Sequence, residues 1–161
     1  MASTALECVD APKISATVRR SVSDMGTDPR TALDELKAAA DDGRLEALCR
    51  RHGVRVLTVF GSAVRPAGIP RDLDVAVGFE PRHVGDVLAL LDDLTVLTGS
   101  DDVDLLVLDR AGPVARERAL VRCLPLYESE PTAYATAQVA AMGERMDTEW
   151  LRALDLETLR R

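Results

Sequence analysis

Asp72 and Asp74 are separated by a single residue, at the start of a run that alternates as a half-buried strand does. Leu73, Val75, Val77 and Phe79 fall on one face, which belongs on the core, while Asp72, Asp74, Ala76 and Gly78 fall on the other. Two carboxylates about 7 Å apart by strand rise repel each other unless a cation is present, and the residues after them are too small to crowd it. A third carboxylate, Asp104, interrupts the apolar run Val103-Asp-Leu-Leu-Val-Leu108. Such a residue pairs, faces solvent or binds a metal. If its strand lies beside the first, three oxygen donors converge on one rim of a sheet with no His or Cys nearby. That set suits a hard cation: magnesium takes few protein carboxylates and completes its shell with waters and substrate phosphates.

The other half of the candidate site is Gly61-Ser62, which follows an apolar strand from Val54 to Phe60 and is read as the opening of a short helix. A polyphosphate would find there a residue without Cβ, free helix N-terminal N–H groups and a hydroxyl. Arg65, one turn on, adds a positive charge. A loop from Pro66 to Pro70 then leads to the aspartates. Taken singly, each feature has a plainer account: Gly-Ser is a common turn, Asp-x-Asp a polar strand end, and Asp104 a partner for Arg110.

Taken in order, Gly61-Ser62, Arg65, Asp72-Leu73-Asp74 and Asp104 resemble the signature of the minimal nucleotidyltransferases of the DNA polymerase β superfamily. The resemblance spans roughly residues 45–128, and Leu126-Tyr127-Glu128 is similar to a segment common near the end of these domains. The loop from Ala63 to Arg71 has nine residues, one short of the usual spacing. Val64-Arg65-Pro66 stands where Ala-Arg-Gly is usual, and Arg71 where serine is common.

This resemblance implies an α+β nucleotidyltransferase fold, a small mixed sheet flanked by helices with extra helices at both ends. It implies transfer of a nucleoside monophosphate, AMP from ATP, with Asp72, Asp74 and Asp104 as catalytic residues holding two magnesium ions. Gly61, Ser62 and Arg65 would hold the triphosphate. Small free-standing members resemble antitoxins that adenylylate a tyrosine of a small all-helical HEPN ribonuclease, so a HEPN-type toxin is the expected partner, and the assembly is a hetero-oligomer or a homo-oligomer. The alternatives are a toxin modifying tRNA, an enzyme adenylylating a small molecule, and an inactive antitoxin that silences its partner by binding.

The elements that must position these residues follow from composition and periodicity. With 161 residues, 47% of them hydrophobic, the chain suits one domain. A formal charge of −7 gives little attraction to nucleic acid or to an anionic membrane. Cys8, Cys49 and Cys123 lack metal-ligand spacing and read as reduced thiols. No apolar run approaches a membrane span, and the first residues lack a secretory pattern, so a soluble cytoplasmic protein is expected.

Residues 1–27 read as an arm, with a turn of helix possible at residues 18–22; 28–128 as the nucleotidyltransferase domain; and 129–161 as a helical extension that docks the partner around Trp150. Helices are expected from Asp28-Pro29, from Gly43 to His52, and from His83 to Leu97 with Val84, Val87, Leu88, Leu91 and Leu94 buried. A further helix from Val114 to Leu124 should pack Leu120 and Val121 and leave Arg116, Arg118 and Arg122 solvated. Pro125 to Glu128 suits an edge strand, with a helix from Thr132 to Met146 and another through Trp150, Leu154 and Leu159. Tyr127 and Trp150 read as core or interface anchors, and His52 and His83 as surface residues without a catalytic role.

Overall fold

The computed structural model describes residues 17–18, 27–66 and 68–148. The expected helix through Trp150, Leu154 and Leu159, and Cys8, lie outside them. Strand β1 (Thr17–Val18) is followed by α1 (Pro29–Asp41), α2 (Arg44–Arg51), β2 (Val54–Phe60), β3 (Leu73–Phe79), α3 (Val87–Thr98) and β4 (Val103–Val107). One 3-10 turn (Leu108–Arg110) leads to α4 (Pro113–Val121), β5 (Leu124–Glu128) and α5 (Ala133–Asp147). The sheet order is β1-β4-β3-β2-β5, with β3 and β4 parallel and the other pairs antiparallel. The parallel pair requires a crossover, which α3 supplies.

Side-chain alternation divides the core between the two faces of this sheet. On one face Leu57, Val59, Leu73, Val75, Val77, Leu105 and Val107 pack under α1, α2 and α3, which contribute Leu36, Leu45, Leu90 and Leu94. On the other face Val56, Ala76, Leu106 and Leu108 meet Ala119 and Leu120 of α4 and Ala133 and Ala141 of α5. Helix α5, the described part of the expected C-terminal extension, thus contributes to the smaller cluster. Thr58, buried on β2, donates from Oγ1 to the Ala119 carbonyl at 2.7 Å and joins that face to α4. Helices α4 and α5 are linked by two ion pairs: Arg116 to Glu144 at 2.6 Å, and Arg145 to Glu117 at 3.2 Å.

The structure departs from the sequence reading in several elements. Thr17–Val18 pair antiparallel with Leu106 and Leu105 of β4, while residues 19–22 of the possible turn of helix lie outside the described residues. Helix α3 begins at Val87 because the Asp86 carboxylate caps it, accepting from Leu88 N and Ala89 N at 3.1 Å. Val84 therefore precedes the helix and is 90% exposed, and Leu88 faces out at 65%; Leu90, Leu91 and Leu94 form the buried stripe. Arg116 is not solvated: it donates to the carbonyls of Leu108 and Ala111 as well as to Glu144, while Val121 is left on the surface. The His52 ring is only 10% exposed, with Nε2 2.6 Å from Asp93 Oδ2 between α2 and α3, so its role there is structural.

Candidate active site

The parallel register of β3 and β4 sets Leu73 beside Val103 and Asp74 beside Asp104. It begins with a hydrogen bond from Leu73 N to the Asp102 carbonyl at 2.8 Å. The turn into β4 is fixed from the other side: Thr27 Oγ1 donates to the Gly99 carbonyl at 2.7 Å, and Ser100 Oγ to the Thr27 carbonyl at 3.2 Å. Because Leu105 and Val107 point into the larger core cluster, Asp104 points to the opposite face, as Asp74 does beside Ala76. The outcome is a cluster: Asp72, Asp74 and Asp104 each offer one carboxylate oxygen within 4.8 Å of the others, and all three are half-buried. That spacing is shorter than the strand rise between Asp72 and Asp74, so the side chains lean together despite their like charge. Three hard oxygen donors at this separation fit a divalent cation of the magnesium type.

Phe60, the last residue of β2, pairs with Asp74, and the chain then turns sharply at Gly61 with φ +76°. A Cβ built on Gly61 would overlap the Asp74 carboxylate. Glycine is required here on two counts, the left-handed backbone and the closeness of the metal-ligating candidate. The sequence reading had assigned its missing Cβ to phosphate approach alone.

Residues 61–66 form turns and bends, not the short helix expected after Gly61-Ser62. The N–H groups there belong to a turn closed by Arg65 N on the Ser62 carbonyl at 3.2 Å. Arg65 lies on the surface and folds back, its Nε donating to the Gly61 carbonyl at 3.1 Å, which holds a guanidinium beside the turn. Arg30, at the start of α1, donates from Nη2 to the Gly68 carbonyl at 2.8 Å and tethers the loop that joins Ser62 to Asp72. A partner 38 positions away leaves no local trace in the sequence, and this tether was not foreseen.

The described thiols are poor nucleophiles: Cys49 is buried, which pushes its pKa up to about 12, and burial also raises that of Cys123. The groups at this end of the sheet suited to chemistry are the carboxylates and the Gly61–Arg65 turn.

No protein-family model matches the sequence, and no curated protein does. Solved structures do match. A chain from the complex of the tri-AMPylated Shewanella oneidensis HEPN toxin with its MNT antitoxin superposes with a TM-score of 0.59. It is 17% identical, and the match covers 78% of this chain and 99% of that one. A toxin–antitoxin structure with AMP-PNP gives a TM-score of 0.59 at 17% identity, over 75% of this chain and 99% of the other. A MntA–HepT toxin–antitoxin structure gives 0.57 at 18% identity, over 75% and 97%.

This chain has the minimal-nucleotidyltransferase fold. At such identities the likeness concerns the architecture, and the case for chemistry stands on the clustered aspartates. Among the described residues, no helix is long and apolar enough to cross a membrane.

Proposed function

We propose that the chain is a magnesium-dependent nucleotidyltransferase that moves AMP from ATP to a hydroxyl of a partner protein, with pyrophosphate leaving as the α–β phosphoanhydride breaks, and so acts as the antitoxin of a HEPN-type ribonuclease. One observation carries the reading: three carboxylates on neighbouring strands gather at one end of the sheet, against a glycine-serine turn that leaves no room for a Cβ. Asp72, Asp74 and Asp104 would hold magnesium, which supplies charge neutralisation at the transferred phosphate and alignment of attacker and leaving group. Asp104, on the edge-ward strand of the pair, would accept the proton of the attacking hydroxyl. Ser62 and the backbone N–H groups of the turn would bind triphosphate oxygens, with Arg65 adding a charge-assisted contact.

A protein acceptor is supported by two facts. The formal charge of −7 disfavours tRNA, and the matched Shewanella complex contains an AMPylated toxin. The test is incubation with α-labelled ATP, magnesium and a candidate HEPN-type partner protein, followed by mass measurement of both proteins. AMP should appear on the partner with the natural chain and be absent with an Asp72→Ala/Asp74→Ala variant. Full neutralisation of the partner by that variant would make binding, without transfer, the antitoxin mechanism.

A further inference from the structure

Two connections lead into the clustered carboxylates: residues 61–72 run into Asp72 and Asp74 of β3, and the turn at residues 99–102 runs into Asp104 of β4. Both are tied to one short piece of chain, Thr27 to Arg30, at the entry of α1. Thr27 Oγ1 donates to the Gly99 carbonyl at 2.7 Å, and Ser100 Oγ returns a hydrogen bond to the Thr27 carbonyl at 3.2 Å. Three residues on, Arg30 Nη2 donates to the Gly68 carbonyl at 2.8 Å. This piece has its own anchor, because Ala32, Leu33 and Leu36 of α1 are buried in the larger core cluster.

Ser100 is the centre of the arrangement. It is 1% exposed, and its hydroxyl is used in both senses. While donating to Thr27 it accepts from Asp102 N at 3.3 Å, and the Asp102 carbonyl accepts from Leu73 N at 2.8 Å. A continuous line of hydrogen bonds therefore runs from Thr27 through Ser100 and Asp102 to Leu73, the residue between Asp72 and Asp74. That last bond is the first rung of the parallel β3–β4 ladder, and Asp104 stands one residue beyond Val103, the register partner of Leu73. An end rung is supported from one side only, so repulsion among three carboxylates within 4.8 Å of one another acts to open the ladder there first.

We infer that Thr27 and Ser100 are positioning residues for a divalent cation at Asp72, Asp74 and Asp104. By fixing Asp102 they hold the starts of β3 and β4 at the separation that lets the three carboxylates share one ion. Neither touches the ion; both act through Asp102 and the first rung. The inference rests on the proposed cation site and extends it to residues that its ligand set does not contain. Partners that orient metal ligands from behind contribute to affinity in this way.

Manganese(II) alone is the probe, titrated into the full chain without nucleotide or partner protein. The free-ion signal in electron paramagnetic resonance gives the affinity, and the melting temperature is recorded for each variant. The natural chain should bind, and Asp72→Ala/Asp74→Ala should not, which locates the ion. Ser100→Ala deletes the shared hydroxyl, and Thr27→Val keeps the side-chain shape but removes the donor; each should bind about tenfold more weakly. Thr27→Ser retains the hydroxyl and should bind as the natural chain does. Leu45→Ala opens a cavity on α2, whose packing partners are α1, β2 and β5, and should lower the melting temperature while the folded chain keeps its affinity. If Ser100→Ala does not fold, Thr27→Val decides. Natural affinity in Thr27→Val or in folded Ser100→Ala overturns the inference and leaves the cation site standing, as does a loss of affinity in Leu45→Ala equal to that in Ser100→Ala. Absence of binding by the natural chain, or unchanged binding by the double aspartate variant, overturns the cation site and the inference with it.

Discussion

At the start of β3 three carboxylates lean toward one another, whereas at the end of the same strand, on the same face, α4 and α5 close over the sheet, and Arg55 and Arg116 there each meet a glutamate. The strand is continuous and its alternation unbroken, so the contrast comes from which residues fill the outward positions. Ala76 and Gly78 are small enough for helices to approach, and Leu106 and Leu108 give them apolar surface to cover. Asp74 and Asp104 occupy the equivalent positions at the other end. Like charges gathered this closely repel one another, and such clusters are commoner at functional sites than elsewhere. One end of the face serves cohesion, and the other gathers the residues proposed to do chemistry.

The sharpest way to break this contrast is Asp104→Asn. Nucleotide transfer should fall on the order of 10³-fold or more, read as labelled AMP on the partner, while the melting temperature stays level or rises because a like-charge neighbour is gone. A marked fall in melting temperature would instead make Asp104 a structural group.

Next in size is Leu105→Ala, one residue along β4 and on the larger cluster. It should lower the free energy of unfolding by about 3–5 kcal/mol in a urea titration, with the transfer rate per folded molecule little changed. Gly61→Ala should show both effects at once: about 1–3 kcal/mol of lost stability from its positive φ, and loss of transfer because the added methyl displaces the Asp74 carboxylate. Normal transfer in that variant would show that the Asp74 position is not critical.

The smallest effect concerns the α2–α3 junction. The hydrogen bond from His52, aided by Arg51, holds the Asp93 carboxyl below its ordinary value of 3.8. A depressed carboxylate contributes stability that is present above its unfolded pKa and is lost as pH falls through the folded one. As pH falls through and below the ordinary carboxyl value of 3.8, the natural chain should therefore lose slightly more stability than Asp93→Asn, measured as the shift in urea midpoint.

Much of this architecture was readable because its determinants are local. The strands at 54–60 and 73–79, the start of α1 at Pro29 and the stripe of α2 follow from periodicity and from a proline in the first helical turn, although Asp28 makes no side-chain capping bond. The pairing of Asp74 with Asp104 was a conditional inference, since it depends on a parallel crossover that periodicity permits without dictating. The features missed were long-range or set by a single polar contact. Asp86 moved the start of α3, Glu144 drew Arg116 out of solvent, and Asp93 drew His52 inward. The turn after Gly61 failed to become a helix although its composition allowed one.

The paired charges between α4 and α5 have a consequence of their own. Arg116 and Glu117 are consecutive on one helix, Glu144 and Arg145 on the other, and the sign order is inverted between them. Half-buried pairs of this kind yield modest energy, but sliding either helix by one position would set Arg116 against Arg145 or Glu117 against Glu144, according to the direction. The four residues therefore act as a key cut for a single alignment, penalising misassembly more than they reward correct assembly.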